Sequence, residues 1–78
     1  MGRLDTRDRA NRALVAELVR RRKKAALTQW DIAKALHVDQ SRISKFERLE
    51  RRLDILDFVR FCRAVGADPG SLLRAIDL

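Results

Sequence analysis

Apolar residues first recur at helical spacing between about Asp8 and Ala25, where Leu14, Val15, Leu18 and Ala25 fall near one face and Arg and Lys cover much of the rest. That pattern predicts an amphipathic first helix. Thr28 and Asp31 have the spacing of a capping box, which starts a second helix whose inner face is Ile32, Ala33 and Leu36. Asp39 is a natural N-cap for a third helix from Gln40 to about Arg48, because its carboxylate can satisfy open first-turn N–H groups. Only His37 to Asp39 separate the second helix from the third. Asp54 caps a fourth helix carrying Ile55, Phe58, Val59, Cys62 and Val65, and Gly66 ends it with the left-handed geometry glycine adopts most easily. Asp68 and Pro69 then restart the chain as a fifth helix with Leu72, Leu73 and Ile76. No alternating strand pattern intervenes, so the expected fold class is all-α with five helices.

A chain of 78 residues has room for one core, so residues 1–78 are expected to form a single domain with 1–7 flexible. Hydrophobic residues at 46% and charged residues at 37% fit a compact body with a heavily charged surface. The formal net charge of +7 predicts an anionic partner, of which nucleic acid is the usual one for clustered Lys and Arg. No apolar run approaches the roughly 20 residues of a membrane span, and Met1 to Arg12 lack a signal-peptide core. A cytoplasmic protein with no membrane partner is expected. The single cysteine, Cys62, lies on the apolar face of the fourth helix and reads as a small buried hydrophobe. No Cys/His set has metal-ligand spacing, so neither metal nor other cofactor is expected.

Two short helices joined by three residues, the second capped and polar on one side, match the geometry that places a recognition helix in a major groove. At about 100° per residue, Ile43 and Phe46 fall on one side of the third helix; Gln40, Ser41, Ser44, Lys45 and Arg48 share an arc of about 140° on the other. The apolar pair should face the core and the polar arc should face DNA. Gln can pair bidentately with adenine N6 and N7, Lys can donate to guanine N7 or O6, and Ser can serve several bases.

The run from Leu27 to Glu47, Leu-Thr-Gln-Trp-Asp-Ile-Ala-Lys-Ala-Leu-His-Val-Asp-Gln-Ser-Arg-Ile-Ser-Lys-Phe-Glu, with Arg51, Arg52, Leu53 and Asp54 beyond it, resembles the Xre/Cro family of phage-repressor-like domains. The likeness extends over about Leu18 to Leu73. It implies a five-helix, lambda-repressor-like DNA-binding domain whose helix-turn-helix is formed by helices two and three. It also implies that Thr28 and Gln29, at the start of the second helix, meet phosphate, while Gln40, Ser41, Ser44 and Lys45 read bases. Arg42, Arg48, Arg51 and Arg52 are then expected on phosphates, which fix position without specifying sequence. Glu47 stands where the resemblance implies an acidic residue paired with an Arg late in the first helix; Arg22 holds that place, and the pair is expected to be structural.

Where this family most often has glycine, the chain has Ala26, His37 and Leu49. His37 is read as a turn residue that accepts positive φ at some cost, and Leu49 as the loss of a helix stop, so that the third helix either runs on or is followed by a differently packed loop. The run Arg20 to Lys24 wraps right round a helix and so forms no single basic face; general attraction to DNA or simple solvation accounts for the residues other than Arg22. Trp30 should be partly exposed, either packed over the first helix or placed at a protein interface.

The expected function is a sequence-specific, non-enzymatic transcriptional regulator, a repressor or autoregulator binding double-stranded DNA as a homodimer. Leu73, Ile76, the terminal Leu78 and Trp30 are the expected dimer surface. An antitoxin that binds a toxin as well as its operator, and an interaction module without specific DNA binding, are the alternatives.

Overall fold

The computed structural model describes residues 6–76, so residues 1–5 of the segment 1–7 expected to be flexible, and any role for Leu78, lie outside the described residues. Five helices follow in order: α1 (Arg9–Lys24), α2 (Gln29–Leu36), α3 (Gln40–Glu47), α4 (Ile55–Val65) and α5 (Pro69–Arg74). No strand occurs among the described residues. None of the described helices is long and apolar enough to cross a membrane.

The starts of the helices follow the capping residues. Asp8 accepts from the Asn11 N–H at 2.8 Å, Asp54 from Asp57 at 2.8 Å and Asp68 from Ser71 at 2.8 Å. At α2 the Thr28 hydroxyl accepts from the Asp31 N–H at 3.1 Å, and the Asp31 carboxylate returns the contact to the Thr28 N–H at 2.8 Å. The hydrogen bond from the Thr28 N–H holds the Asp31 carboxyl below its usual range. Asp39 departs from expectation. It has the extended backbone of an N-cap but makes no side-chain cap hydrogen bond, and its side chain lines an open cleft beside Arg42, Lys45 and Arg51.

Four helix ends share one device. After α1, α2, α3 and α4, the residues Ala26, His37, Leu49 and Gly66 adopt φ of 59°, 57°, 66° and 75°. In each case the next N–H reaches back to a carbonyl five residues earlier: Leu27 to Arg22, Val38 to Ala33, Glu50 to Lys45 and Ala67 to Cys62. Only one of the four is glycine. Leu49 therefore does not let α3 run on; the helix stops at Glu47. The half-buried Leu49 side chain packs against the core, and that burial offsets the left-handed strain.

The core gathers Val15 and Leu18 of α1, Ile32, Ala33 and Leu36 of α2, Ile43 and Phe46 of α3, and Phe58, Phe61 and Cys62 of α4, with Ala67 and Leu72. Burial raises the Cys62 thiol above its ordinary range, so the group stays protonated and behaves as a small apolar side chain. Phe46 and Phe61 pack as tilted rings with centroids 5.9 Å apart and link α3 to α4. The backbone of α3 otherwise packs on α2 and α1 alone. Three apolar positions fall outside the expected faces. Ala25 is the exposed C-cap of α1, Ile55 is 77% exposed in the first turn of α4, and Ile76 follows the end of α5 half-buried. Periodicity assigns a residue to a face, but it does not decide whether a neighbouring element reaches that turn.

The left-handed ends predict a stability pattern. Ala26→Gly and His37→Gly, both at exposed positions, should each raise the unfolding free energy by about 1 kcal/mol by removing a Cβ from left-handed backbone. Leu49→Gly should lower it, because the lost packing exceeds the relieved strain. Urea denaturation of the three variants checks the pattern; a stabilising Leu49→Gly would contradict it.

Candidate nucleic-acid interface

The recognition side is built outward from a buried ion pair. Arg22, in the last turn of α1, donates from Nε to Glu47 Oε2 at 2.8 Å and from Nη2 to Glu47 Oε1 at 2.9 Å, a two-pronged contact across 25 residues of sequence. Its Nη1 donates to the Leu27 carbonyl at 2.9 Å, fixing the chain as it leaves α1. Side-chain exposures of 11% and 8% make this pair the best sheltered of the ion pairs that span two elements among the described residues.

Glu47 also accepts from Gln29 Nε2 at 2.9 Å, and Gln29 Oε1 in turn accepts from Gln40 Nε2 at 2.7 Å. A chain of hydrogen bonds thus runs from Arg22 through Glu47 and Gln29 to Gln40, from the interior to the first residue of α3. Gln40 keeps its Oε1 and one N–H, the acceptor and donor needed to pair with adenine N6 and N7. Gln29 is held between Glu47 and Gln40, with its second amide N–H still open.

Beside this chain, the turn and outer face of α3 form an open cleft of about 460 Å³ lined by His37, Val38, Asp39, Ser41, Arg42, Lys45 and Arg51. Three full cations face one carboxylate there, so the cleft is locally positive. Ser41 and Lys45 are exposed, Arg42 is half-buried, and Arg51 reaches the cleft from the loop after α3.

The remaining expected contacts already have partners in the chain. The Thr28 hydroxyl donates to Asp31 at 3.0 Å within the cap. Arg52 lies 2.7 Å from Asp8, tying the α3–α4 loop to the start of α1. Arg48 pairs with Glu50 at 3.0 Å and also donates to the Ser44 hydroxyl. Trp30 is 70% exposed on α2, and Leu73 is 42% exposed on α5; the backbones of α2 and α5 do not pack together, so the two are not brought onto one element pair.

Sequence reasoning missed the Gln29–Gln40 link, the Glu50–Arg48 pair and the Asp8–Arg52 pair. A Glu two residues after the arginine was the only signal for the second, and nothing marked the third across 44 positions.

This arrangement of a supported short helix, three-residue turn and outward polar face defines a helix-turn-helix DNA-binding protein. The family of helix-turn-helix domains matches residues 13–76. Among solved structures, an XRE-family like protein from Pseudomonas syringae pv. tomato str. DC3000 is similar at 44% identity with a TM-score of 0.76, covering 82% of this chain and 78% of that one. No curated protein matches. The chain belongs to the Xre-family helix-turn-helix domains, a class of DNA-binding transcriptional regulators.

Removing one member of a buried pair strands the other charge. Arg22→Ala should therefore cost about 3 kcal/mol of stability, near the lower end for complete burial. Replacing both partners, as in Arg22→Met with Glu47→Leu, should recover most of that loss because the desolvated charges disappear together. Denaturant titration separates the outcomes; a double variant as unstable as the single one would refute this account of the pair.

Proposed function

We propose that the protein is a sequence-specific transcriptional regulator, a repressor or autoregulator that binds a two-fold related operator as a homodimer. The observation that carries the reading is the hydrogen-bonded chain ending at Gln40, which fixes a base-reading amide beside a positively charged cleft. Fixing that side chain before binding lowers the entropy lost in the complex.

In this reading α3 enters the major groove. Gln40, Ser41, Ser44 and Lys45 face base edges, with the Ser44 hydroxyl already accepting a hydrogen bond from Arg48. Arg42 and Arg51 meet flanking phosphates, joined by the start of α2 at Thr28 and Gln29. Arg52 would have to give up its Asp8 contact to reach phosphate. Dimerisation rests on Leu73, which stays 42% exposed beside the buried Leu72. Ile76 packs partly against the core and contributes only its open side, and Trp30 is the second exposed apolar group available to a partner.

Selection of bound sequences from a random duplex pool tests the proposal. An enriched palindrome is expected, with recognition helices about 34 to 36 Å apart; salt-sensitive binding without a preferred sequence would overturn it. On the selected site, Gln40→Ala or Lys45→Ala should each cost about 1 to 3 kcal/mol with the fold intact. Arg51→Ala should instead weaken all sequences alike and reduce the salt slope by about one unit. Leu73→Glu should give a folded monomer in sedimentation with weakened operator binding; a folded dimer would remove α5 from the interface.

A further inference from the structure

Arg48 is oriented by three hydrogen bonds within its own helix end and the loop after it. Its Nε donates to Glu50 Oε2 at 3.0 Å, its Nη2 to Glu50 Oε1 at 3.2 Å, and its Nη1 to the Ser44 hydroxyl. The guanidinium is thus clamped from two sides although the side chain is 56% exposed. Ser44 stands one turn before Arg48 on the outer arc of α3, so the clamp lays the guanidinium along the face that carries Gln40, Ser41 and Lys45.

Three of the five guanidinium N–H groups are occupied, leaving one on each terminal nitrogen. Those two donors are what a bidentate contact to guanine O6 and N7 uses.

The charge balance points the same way. Glu50 cancels the cation, and hydrogen bonding to Arg48 holds its carboxyl below the ordinary range, so it stays ionised near neutrality. A phosphate brought to this fork meets a carboxylate on the same side chain pair and gains little net attraction. A guanine edge carries no net charge and needs oriented donors, which the clamp supplies already ordered.

We propose that Arg48 reads a guanine in the operator, with Glu50 and Ser44 as its positioning residues, and is not one of the phosphate contacts. The inference rests on the major-groove docking of α3 proposed above. Arg48 lies two turns beyond Gln40, about 12 Å along the helix. Because a helix in the major groove is inclined to the duplex axis, that distance sets an upper bound: at roughly 3.4 Å per base pair, the guanine should fall no more than about four steps from the base read by Gln40.

The test compares wild-type protein with Arg48→Ala, Arg48→Lys and Glu50→Ala on the selected operator and on the same duplex carrying 7-deazaguanine, which lacks the N7 acceptor but pairs normally. Wild-type binding should fall about tenfold on 7-deazaguanine at this one position, and Arg48→Ala should bind both duplexes equally. Arg48→Lys should discriminate no better than alanine, since a point charge cannot occupy the fork. Glu50→Ala should bind all DNA somewhat more tightly at low salt while losing most of the guanine preference. All four proteins should melt alike. An Arg48→Ala variant that still discriminates, or that weakens both duplexes equally with a salt slope reduced by about one, would overturn the proposal in favour of a phosphate contact. Discrimination retained by Arg48→Lys would overturn it by showing that charge alone suffices. An enriched operator with no guanine in that register also overturns it while leaving the regulator reading intact; the absence of any enriched sequence overturns both.

Discussion

A buried charge in a domain this small has to be matched completely, and the Arg22–Glu47 pair is the constraint from which the recognition side follows. Taking both ions out of water costs several kcal/mol each, which their attraction offsets only with good geometry and with the remaining donors and acceptors filled. The structure meets the first condition, and meets the second to the extent that every guanidinium nitrogen has an acceptor. The fork is two-pronged, the third guanidinium nitrogen reaches the Leu27 carbonyl, and Glu47 receives Gln29 as well. The same contacts that make the pair tolerable also fix the end of α3, the exit from α1 and the first residue of α2. An apolar replacement could hold the helices together, but it would give Gln29 no acceptor and so would not order Gln40.

Short loops are the second constraint. With three residues between α2 and α3, the chain must change direction within one turn of each helix end, and the left-handed residue after each of the first four helices does this. Alanine, histidine and leucine accept a strain that glycine avoids, and they return something different. Leu49 returns core packing next to Glu47, whereas Ala26 and His37 are exposed and return none. The loop after α3 is therefore fixed by burial on one side and by the Glu50 N–H on the Lys45 carbonyl on the other. That places Glu50 beside Arg48.

Much of this was legible in the sequence because caps and periodicity are local. Asp8, Thr28, Asp54 and Asp68 each sit where a helix begins, and Ile43 with Phe46 face inward as the third helix's wheel requires. What escaped depends on distances between elements. Whether Ile55 is covered depends on where neighbouring helices end, and nothing in the structure explains why the Asp39 carboxylate lines the cleft without capping α3. At Leu49 the sequence left open whether α3 runs on or the loop packs differently, because a half-buried side chain can hold the left-handed geometry that glycine usually supplies. The outer arc of α3 was legible as a set of residues. The division of labour within it was not, because that follows from which donors are already taken.

How those donors are taken shapes what the positive charge can do. Glu17 accepts from both Arg20 and Arg21, which hold its carboxyl down at about 2, and further carboxylates pair with Arg48, Arg52 and Arg60. A polyanion approaching the protein must compete with each of these contacts, of which the single-pronged surface ones are the weakest and the most readily screened by salt. In the cleft, Arg42, Lys45 and Arg51 form no ion pair among the described residues, so an anionic partner can approach them without displacing an internal carboxylate. Non-specific attraction is thus focused where α3 presents its polar face. On the proposed docking, the basic excess would supply encounter, the uncommitted cleft cations would orient it, and the prearranged amide and guanidinium donors would be left to discriminate between bases.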